Sequence, residues 1–207
     1  MSISAEMVRK LREETGAGMM DCKSALVEAG GDAERAREIL RKKGLAHAAK
    51  KAGRAASEGM VGTYIHQGAK VGALVEVNCE TDFVAKTPEF QALVKDVAMH
   101  IAASSPLFLT KEDVPAEVLE KEKEIYKAQA AGQGKPANVQ DKIAEGKLKD
   151  YYAQFCLLEQ PFVRDGKLTV GQLVQEKIAL IKENIVVRRF ARFKVGEQSQ
   201  TAEPEAQ

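Results

Sequence analysis

The spacing of apolar residues changes period twice along this chain, and that change limits the folds it can adopt. In residues 4–44 apolar side chains recur every three or four positions, as on one face of a helix. Between residues 61 and 78 the spacing becomes a two-residue alternation interrupted by a turn at 67–70, which is typical of an antiparallel hairpin. Helical spacing returns at residue 88, and a last alternating segment covers 185–195. The sequence therefore predicts an α+β fold with an antiparallel sheet.

The N-terminal segment is predicted to form a bundle of three short helices. Ser4 and Asp32 are the expected N-caps of the first and third helices, and Gly16 and Gly44 are expected to end them. We interpret residues 45–57, which are rich in alanine and basic residues, as a helical linker. Because a unit of about 45 residues buries little apolar surface, we expect the bundle to dock rather than to carry out chemistry.

Two further helix starts and a highly charged stretch complete the expected organisation. Thr87–Pro88 and Thr169 are typical helix N-termini. Between them, a charged segment that begins at Pro115 and its partner segment indicate a projecting antiparallel helical arm. We divide the chain into a bundle with its linker (1–55), an α+β core (56–110 and 160–196), the arm (111–159) and a disordered tail (197–207).

Composition excludes several classes of protein. The chain has 31 Lys and Arg residues against 30 Asp and Glu residues, so a protein that coats a polyanion is not expected. No apolar run approaches the roughly 18–20 residues that cross a bilayer, and the N-terminus lacks the apolar region of a signal peptide. We expect a soluble cytoplasmic protein that does not associate with membranes. Its three cysteines are far apart, so we do not expect a disulfide scaffold.

The candidates for catalysis are weak. Glu76, Glu80 and Asp82 are close in sequence and could hold a metal ion for a hydrolase, but a solvated surface is the favoured reading. Cys79 could be a nucleophile, yet no base is identifiable and a buried thiol is the commoner case. The sequence contains no phosphate-binding loop and no dinucleotide motif. We therefore expect no catalytic residue, no metal ion and no cofactor, and we do not expect an enzyme.

A more unusual feature is Asp82–Phe83, which lies in a predicted loop between a buried strand and a helix cap. A bulky apolar side chain beside a carboxylate suits insertion into a partner protein. Phe83 could equally fold back into its own core, and spacing alone does not distinguish these two possibilities.

At these residues the chain resembles the bacterial elongation factor Ts family, the guanine nucleotide exchange factors of elongation factor Tu. The matching stretches are TGAGMMDCKSAL at 15–26, GGDAERAREILRKKG at 30–44, EVNCETDFVAKTPEFQ at 76–91, AMHIAASSP at 98–106 and QPFVRDGKLTVGQLV at 160–174. The resemblance implies a bundle like that of ubiquitin-associated domains, an α+β core and a helical dimerisation arm. It also implies a protein that binds elongation factor Tu–GDP and promotes GDP release by displacing Mg²⁺ and disturbing the phosphate site.

The resemblance implies two sets of partner-binding residues. One matches the segment that displaces Mg²⁺ from elongation factor Tu, with Phe83 entering an apolar pocket of the GTPase domain: Thr81, Asp82, Phe83 and Val84. The other matches positions of the bundle that touch the same domain: Val8, Leu11, Met19 and Met20. The two adjacent methionines cannot both point into a helical core, so we expect at least one to be contact surface.

The chain departs from the longer members of the family, which have two related core subdomains where this sequence has one. It resembles the short form, for which we expect a homodimer and a two-to-two complex with elongation factor Tu. An alternative is an RNA-associated protein with a track of basic residues for phosphate groups, although we expect no direct nucleic-acid binding: Lys50, Lys51, Arg54, Arg188 and Arg192.

Overall fold

Three helices with their own apolar core open the chain in the computed structural model, which describes residues 3–197. They are α1 (Ala5–Thr15), α2 (Met19–Glu28) and α3 (Ala33–Lys51). The predicted caps are confirmed, because the Ser4 side chain accepts a hydrogen bond from the Met7 amide and Asp32 accepts one from the Arg35 amide. The core of the bundle consists of buried residues from all three helices: Val8, Leu11, Cys22, Ala25, Leu26, Ala29 and Ala36. Its likeness to ubiquitin-associated domains stays a prediction.

The prediction that Gly44 ends the third helix is wrong. Helix α3 continues through Gly44 to Lys51 and absorbs most of the segment interpreted as a linker. A Cβ atom at Gly44 would lie 3.0 Å from the Cβ atom of Ala179. The glycine therefore permits a close approach of two helices instead of terminating one of them.

The remaining elements form a mixed helix and sheet structure, which confirms the α+β class. In chain order they are β1 (Glu58–Ile65), β2 (Val71–Cys79), α4 (Asp82–Ala85), α5 (Pro88–Ser104), α6 (Ala116–Gly132), α7 (Ala137–Phe155), β3 (Pro161–Phe162), β4 (Asp165–Thr169), α8 (Val170–Ile181) and β5 (Ile185–Lys194). An antiparallel three-stranded sheet has the order β1-β2-β5, and β3 pairs with β4 in a small hairpin. Helices α5 and α8 pack against the sheet, and α3 packs against α8.

One face of the sheet is buried and the other is exposed. Ala73, Val75 and Val77 of β2 face the helices, as their alternation predicts. We call the opposite side the open sheet face; it carries the exposed apolar side chains of Val61, Ile65, Leu74, Phe193 and Val195. In β1 the branched aliphatic residues therefore point away from the core, whereas such residues usually point towards it.

The simple alternation predicted for the last strand is wrong. The register between β2 and β5 shifts so that Val77 pairs with Val187 and Glu76 pairs with Arg189. The extra residue, Arg188, forms a bulge that reverses which residues point inward. Ile185 and Val187 are buried before the bulge, and Phe190 packs against the core after it.

The segment predicted to form an arm contains a helical hairpin. Helix α6 packs along α7, with Ala130, Ala144 and Leu148 buried. The Lys127 Nζ atom lies 2.9 Å from a carboxylate oxygen of Asp141 and so links the two helices. The domain boundaries stay predictions, and the tail beyond residue 197 lies outside the described residues. Within residues 3–197, no helix is both long and apolar enough to cross a membrane.

Candidate partner-binding site

The segment around Phe83 is a single helical turn, α4, and not the loop predicted from the sequence. Thr81 caps its start by accepting a hydrogen bond from the Val84 amide at 3.4 Å. Thr87 closes its end by donating its hydroxyl to the Val84 carbonyl at 2.8 Å. Because β2 ends in buried Cys79 and α5 begins nearby with buried Phe90, the turn is fixed at both ends.

This turn directs Phe83 into solvent. Its side chain is 78% exposed, while the neighbouring Val84 packs against the core of the sheet. The alternative in which Phe83 folds back into its own core is therefore wrong for this chain. A largely exposed phenylalanine on a braced turn is available for insertion into another molecule.

Asp82, beside Phe83, is engaged within the same turn. The Lys86 Nζ atom donates to an Asp82 carboxylate oxygen at 2.7 Å. This hydrogen bond is the largest cause that lowers the pKa of Asp82, so the carboxylate is ionised at neutral pH. Both side chains are at least half exposed, so the pair contributes little to stability, but it holds the Asp82 carboxylate in place next to Phe83.

Glu183 holds the backbone beneath this turn, although it belongs to no recognisable motif. Its Oε2 atom accepts hydrogen bonds from the Glu80 amide at 3.1 Å and from the Thr81 amide at 3.0 Å. Its Oε1 atom accepts the Thr81 hydroxyl proton at 2.7 Å. Glu183 lies between α8 and β5, far from Thr81 in sequence, and no local pattern marks such a contact.

The next residue, Asn184, continues this set of contacts towards the bundle. Its backbone amide donates to Glu80 Oε1 at 2.6 Å, and its side-chain amide donates to the Arg54 carbonyl at 2.7 Å. The hydrogen bond from the Asn184 amide is the largest cause that lowers the pKa of Glu80. The Arg54 guanidinium, 3.4 Å from Glu80, acts in the same direction. The residues that follow α3 and those that precede α4 are thus both hydrogen-bonded to the short segment between α8 and β5.

The residues predicted in the bundle fall into two groups. Met19 and Met20, at the start of α2, are 49% and 73% exposed, so both offer surface to a partner. Val8 and Leu11 are 6% and 2% exposed and pack inside the bundle. Direct contact by Val8 and Leu11 finds no support in this placement, and we expect them to shape the surface from beneath.

The carboxylates considered for metal binding are each held by separate groups. Arg189 Nε lies 2.6 Å from a Glu76 oxygen, while Glu80 contacts Asn184 and Asp82 contacts Lys86. In the part of the chain that the structure describes, His, Cys, Asp and Glu side chains form no group of three that could hold a metal ion. The geometry gives the hydrolase alternative no support.

The cysteine and basic-track alternatives also find no support. Cys79 is fully buried, and this burial is the main cause that raises the pKa of its thiol, which disfavours a nucleophilic thiolate. Of the five basic residues in the proposed track, Lys51 and Arg54 contact the backbone or Glu80, and Arg192 contacts Glu197. Three of the five side chains are thus engaged within the chain.

Comparison with known proteins agrees with the motifs around Phe83. The family described as "Elongation factor TS" matches residues 45–197. Elongation factor Ts of Caldanaerobacter subterraneus subsp. tengcongensis is 63% identical over 195 residues, which cover 94% of this chain and 98% of the relative. That of Thermoanaerobacter sp. is 59% identical over 203 residues, covering 98% of this chain and 100% of the relative. That of Geobacter sulfurreducens is 61% identical over 197 residues, which cover 95% of this chain and 91% of the relative. The chain belongs to the elongation factor Ts family.

Proposed function

We propose that this protein is the guanine nucleotide exchange factor of elongation factor Tu, acting in the cytoplasm during translation elongation. It binds the GDP complex of that GTPase and promotes GDP release by displacing Mg²⁺ and disturbing the phosphate site. The single observation that carries this proposal is the 78% exposed Phe83 on a braced turn within the family's motif.

The mechanism requires no covalent step by this chain. A GTPase holds its nucleotide through a phosphate-binding loop and through Mg²⁺, so disturbing either site loosens the ligand. A factor that binds the nucleotide-free GTPase more tightly must weaken nucleotide binding by the same factor. In this scheme the Phe83 ring enters an apolar pocket of the GTPase domain and the Asp82 carboxylate flanks it.

The energies involved require a broad interface. Weakening the binding of a nucleotide by about 10⁴-fold takes about 5.5 kcal/mol. Complete burial of one phenylalanine supplies roughly 1.5–3 kcal/mol, so Phe83 alone is insufficient. Met19 and Met20 are exposed on α2 and are the next candidates, since thioether side chains adapt to an irregular surface.

We also propose that two copies of the chain associate through their open sheet faces, giving a two-to-two complex with elongation factor Tu. Five exposed apolar side chains lie on or beside this face, which is more than isolated surface residues explain. The relatives from Caldanaerobacter and Thermoanaerobacter match this chain over 98% and 100% of their length, so they share its short form. A second copy would pack sheet against sheet and cover this surface.

The experiment that tests the exchange function is release of fluorescently labelled GDP from elongation factor Tu. The wild-type chain should accelerate release as its concentration rises, and Phe83→Ala should slow the saturated rate by at least about tenfold, as expected for the loss of one buried aromatic anchor. Leu107→Ala is the matched control, because Leu107 is also exposed, at 55%, but lies after α5. Its release rate should equal that of the wild type.

Two results would count against the proposal. If the wild-type chain left the rate of GDP release unchanged, the exchange function would be wrong. If Phe83→Ala released GDP as fast as the wild type while keeping its thermal unfolding midpoint, exchange would not depend on the aromatic side chain.

A further inference from the structure

We propose that Glu183 is a positioning residue that aims Phe83 at the partner, and this inference rests on the proposed exchange function. Glu183 belongs to none of the motifs in the sequence, and it lies in the short segment between α8 and β5. Its hydrogen bonds go to Glu80 and Thr81, the backbone from which the turn that carries Phe83 begins.

The contacts of Glu183 restrain one segment in three places. One carboxylate oxygen accepts two consecutive backbone amides, of Glu80 and Thr81, at 3.1 and 3.0 Å, and the other accepts the Thr81 hydroxyl at 2.7 Å. Hydrogen bonds to an ionised carboxylate are about twice as strong as neutral ones. They fix the direction of the chain directly before α4, and so the direction in which the Phe83 side chain leaves it.

Other groups restrain the end of the turn, where Val84 packs against the core and the Thr87 hydroxyl donates to the Val84 carbonyl. Phe83 itself is 78% exposed and makes little contact with its own core. The hydrogen bond that caps α4 is long, at 3.4 Å from the Val84 amide to the Thr81 hydroxyl oxygen. Glu183 orients that same hydroxyl, so it supports the cap as well as the backbone.

The segment 182–184 also connects the two predicted contact regions. Lys182 Nζ lies 3.7 Å from a carboxylate oxygen of Asp21, which follows Met20, and the Lys51 side chain donates to the Lys182 carbonyl. Asn184 contacts the end of the bundle through the Arg54 carbonyl. Glu183 therefore lies where the bundle and α4 meet, which suits a residue that sets one relative to the other.

The test measures GDP release from elongation factor Tu over a range of concentrations of the full chain. Glu183→Ala removes all three hydrogen bonds, and the saturated release rate should fall about tenfold, as expected for losing hydrogen bonds to a charged group. The concentration at half-maximal rate should change much less. Glu183→Gln keeps the length and one acceptor oxygen, and it should recover part of the rate.

Combining variants distinguishes a positioning role of Glu183 from an effect on overall stability alone. If Glu183 acts through Phe83, then Glu183→Ala should slow release no further in a Phe83→Ala background. Glu176→Gln, which removes an exposed carboxylate from α8, is the control and should behave as the wild type. If Glu183→Ala fails to fold, Thr81→Val tests the same contact, with Thr81→Ser as its hydroxyl-retaining partner.

The outcomes are distinguishable. Wild-type chain without exchange activity would overturn both the proposed function and this inference. An active wild type would overturn the inference alone in either of two cases: folded Glu183→Ala and Thr81→Val release GDP at the wild-type rate, or the loss is just as large in the Phe83→Ala background.

Discussion

His100 is a fully buried histidine whose two ring nitrogens are both engaged. Nδ1 accepts a hydrogen bond from the Val163 amide at 3.2 Å, so the neutral ring carries its proton on Nε2 and donates to Gln160 Oε1 at 2.9 Å. Gln160 in turn donates to the carbonyls of Ser104 and Gln154. This network ties α5 to the small β3–β4 hairpin and leaves no acceptor for a second proton at Nδ1.

This arrangement predicts that acid weakens the fold through His100. Burial is the main cause that lowers the pKa of His100 below its usual 6.5. Its contribution to the free energy of unfolding is therefore fully present above about pH 6.5 and is lost as the pH falls towards the lower pKa, because the unfolded chain takes up the proton first. Urea unfolding of wild type and His100→Gln should show that this part of the pH dependence disappears in the variant.

The exposed His47 provides the comparison for that experiment. His47→Gln is the matched control, because the side chain of His47 is exposed and lies on α3, outside the hydrogen bonds of His100. If His100→Gln followed the same pH profile as His47→Gln, the buried ring would not be the source of the effect.

At the scale of elements, a helix and the sheet approach each other closely at Gly62. A Cβ atom at this position of β1 would lie 2.2 Å from Cγ1 of Val94, which is buried in α5. The absence of a side chain at Gly62 thus lets α5 lie directly on the strand.

Gly62→Ala should therefore destabilise the protein by about 1–3 kcal/mol in urea unfolding, the usual cost of overpacking a core. Val94→Ala should remove the clash, so the double variant should be less destabilised than the sum of the two single variants. Gly166→Ala is the control, because no atom lies within 4 Å of a Cβ atom there, and it should change stability by no more than about 0.5 kcal/mol. If the effects of Gly62→Ala and Val94→Ala were additive, groups other than the Val94 side chain would be relieving the clash.

The elements also show which signals a sequence carries. Helix starts at Thr87–Pro88 and Thr169 were predictable, because a capping hydrogen bond involves residues three positions apart. The structural role of Gly44 was not predictable, since it depends on Ala179 of a helix that is distant in sequence. The bulge at Arg188 likewise depends on pairing with β2.

In the candidate site too, features set by neighbouring residues were predictable and features set by distant contacts were not. The motif around Phe83 was recognisable, and its local caps explain the turn, but whether the ring was exposed depended on the packing of Val84 against the core. Glu183 was not predictable, because its hydrogen bonds join segments more than 100 residues apart.

At the scale of the whole molecule, the open sheet face is apolar near the turn between β1 and β2, whereas Glu76 and Arg189 form an ion pair further along it. Ile65 and Phe193, on β1 and β5, are 64% and 66% exposed. Sheets that stay open on one side usually place polar residues there, so this composition favours a covering partner. A second copy of the chain is the occupant that we propose, and it makes association measurable without elongation factor Tu.

Sedimentation equilibrium at micromolar concentration should give twice the 22.5 kDa mass of one chain. Ile65→Lys should shift the equilibrium to monomer, because each copy would bury an unpaired charge in an apolar contact and such burial costs several kcal/mol. Val27→Lys is the matched control: Val27 is 61% exposed on α2, outside the sheet, and this variant should stay dimeric. Wild-type chain that sediments as a monomer, or Ile65→Lys that sediments as a dimer, would rule out pairing through this face. Because Ile65 and Phe83 lie on different elements, Ile65→Lys also tests whether exchange needs the dimer, through its rate of GDP release per chain.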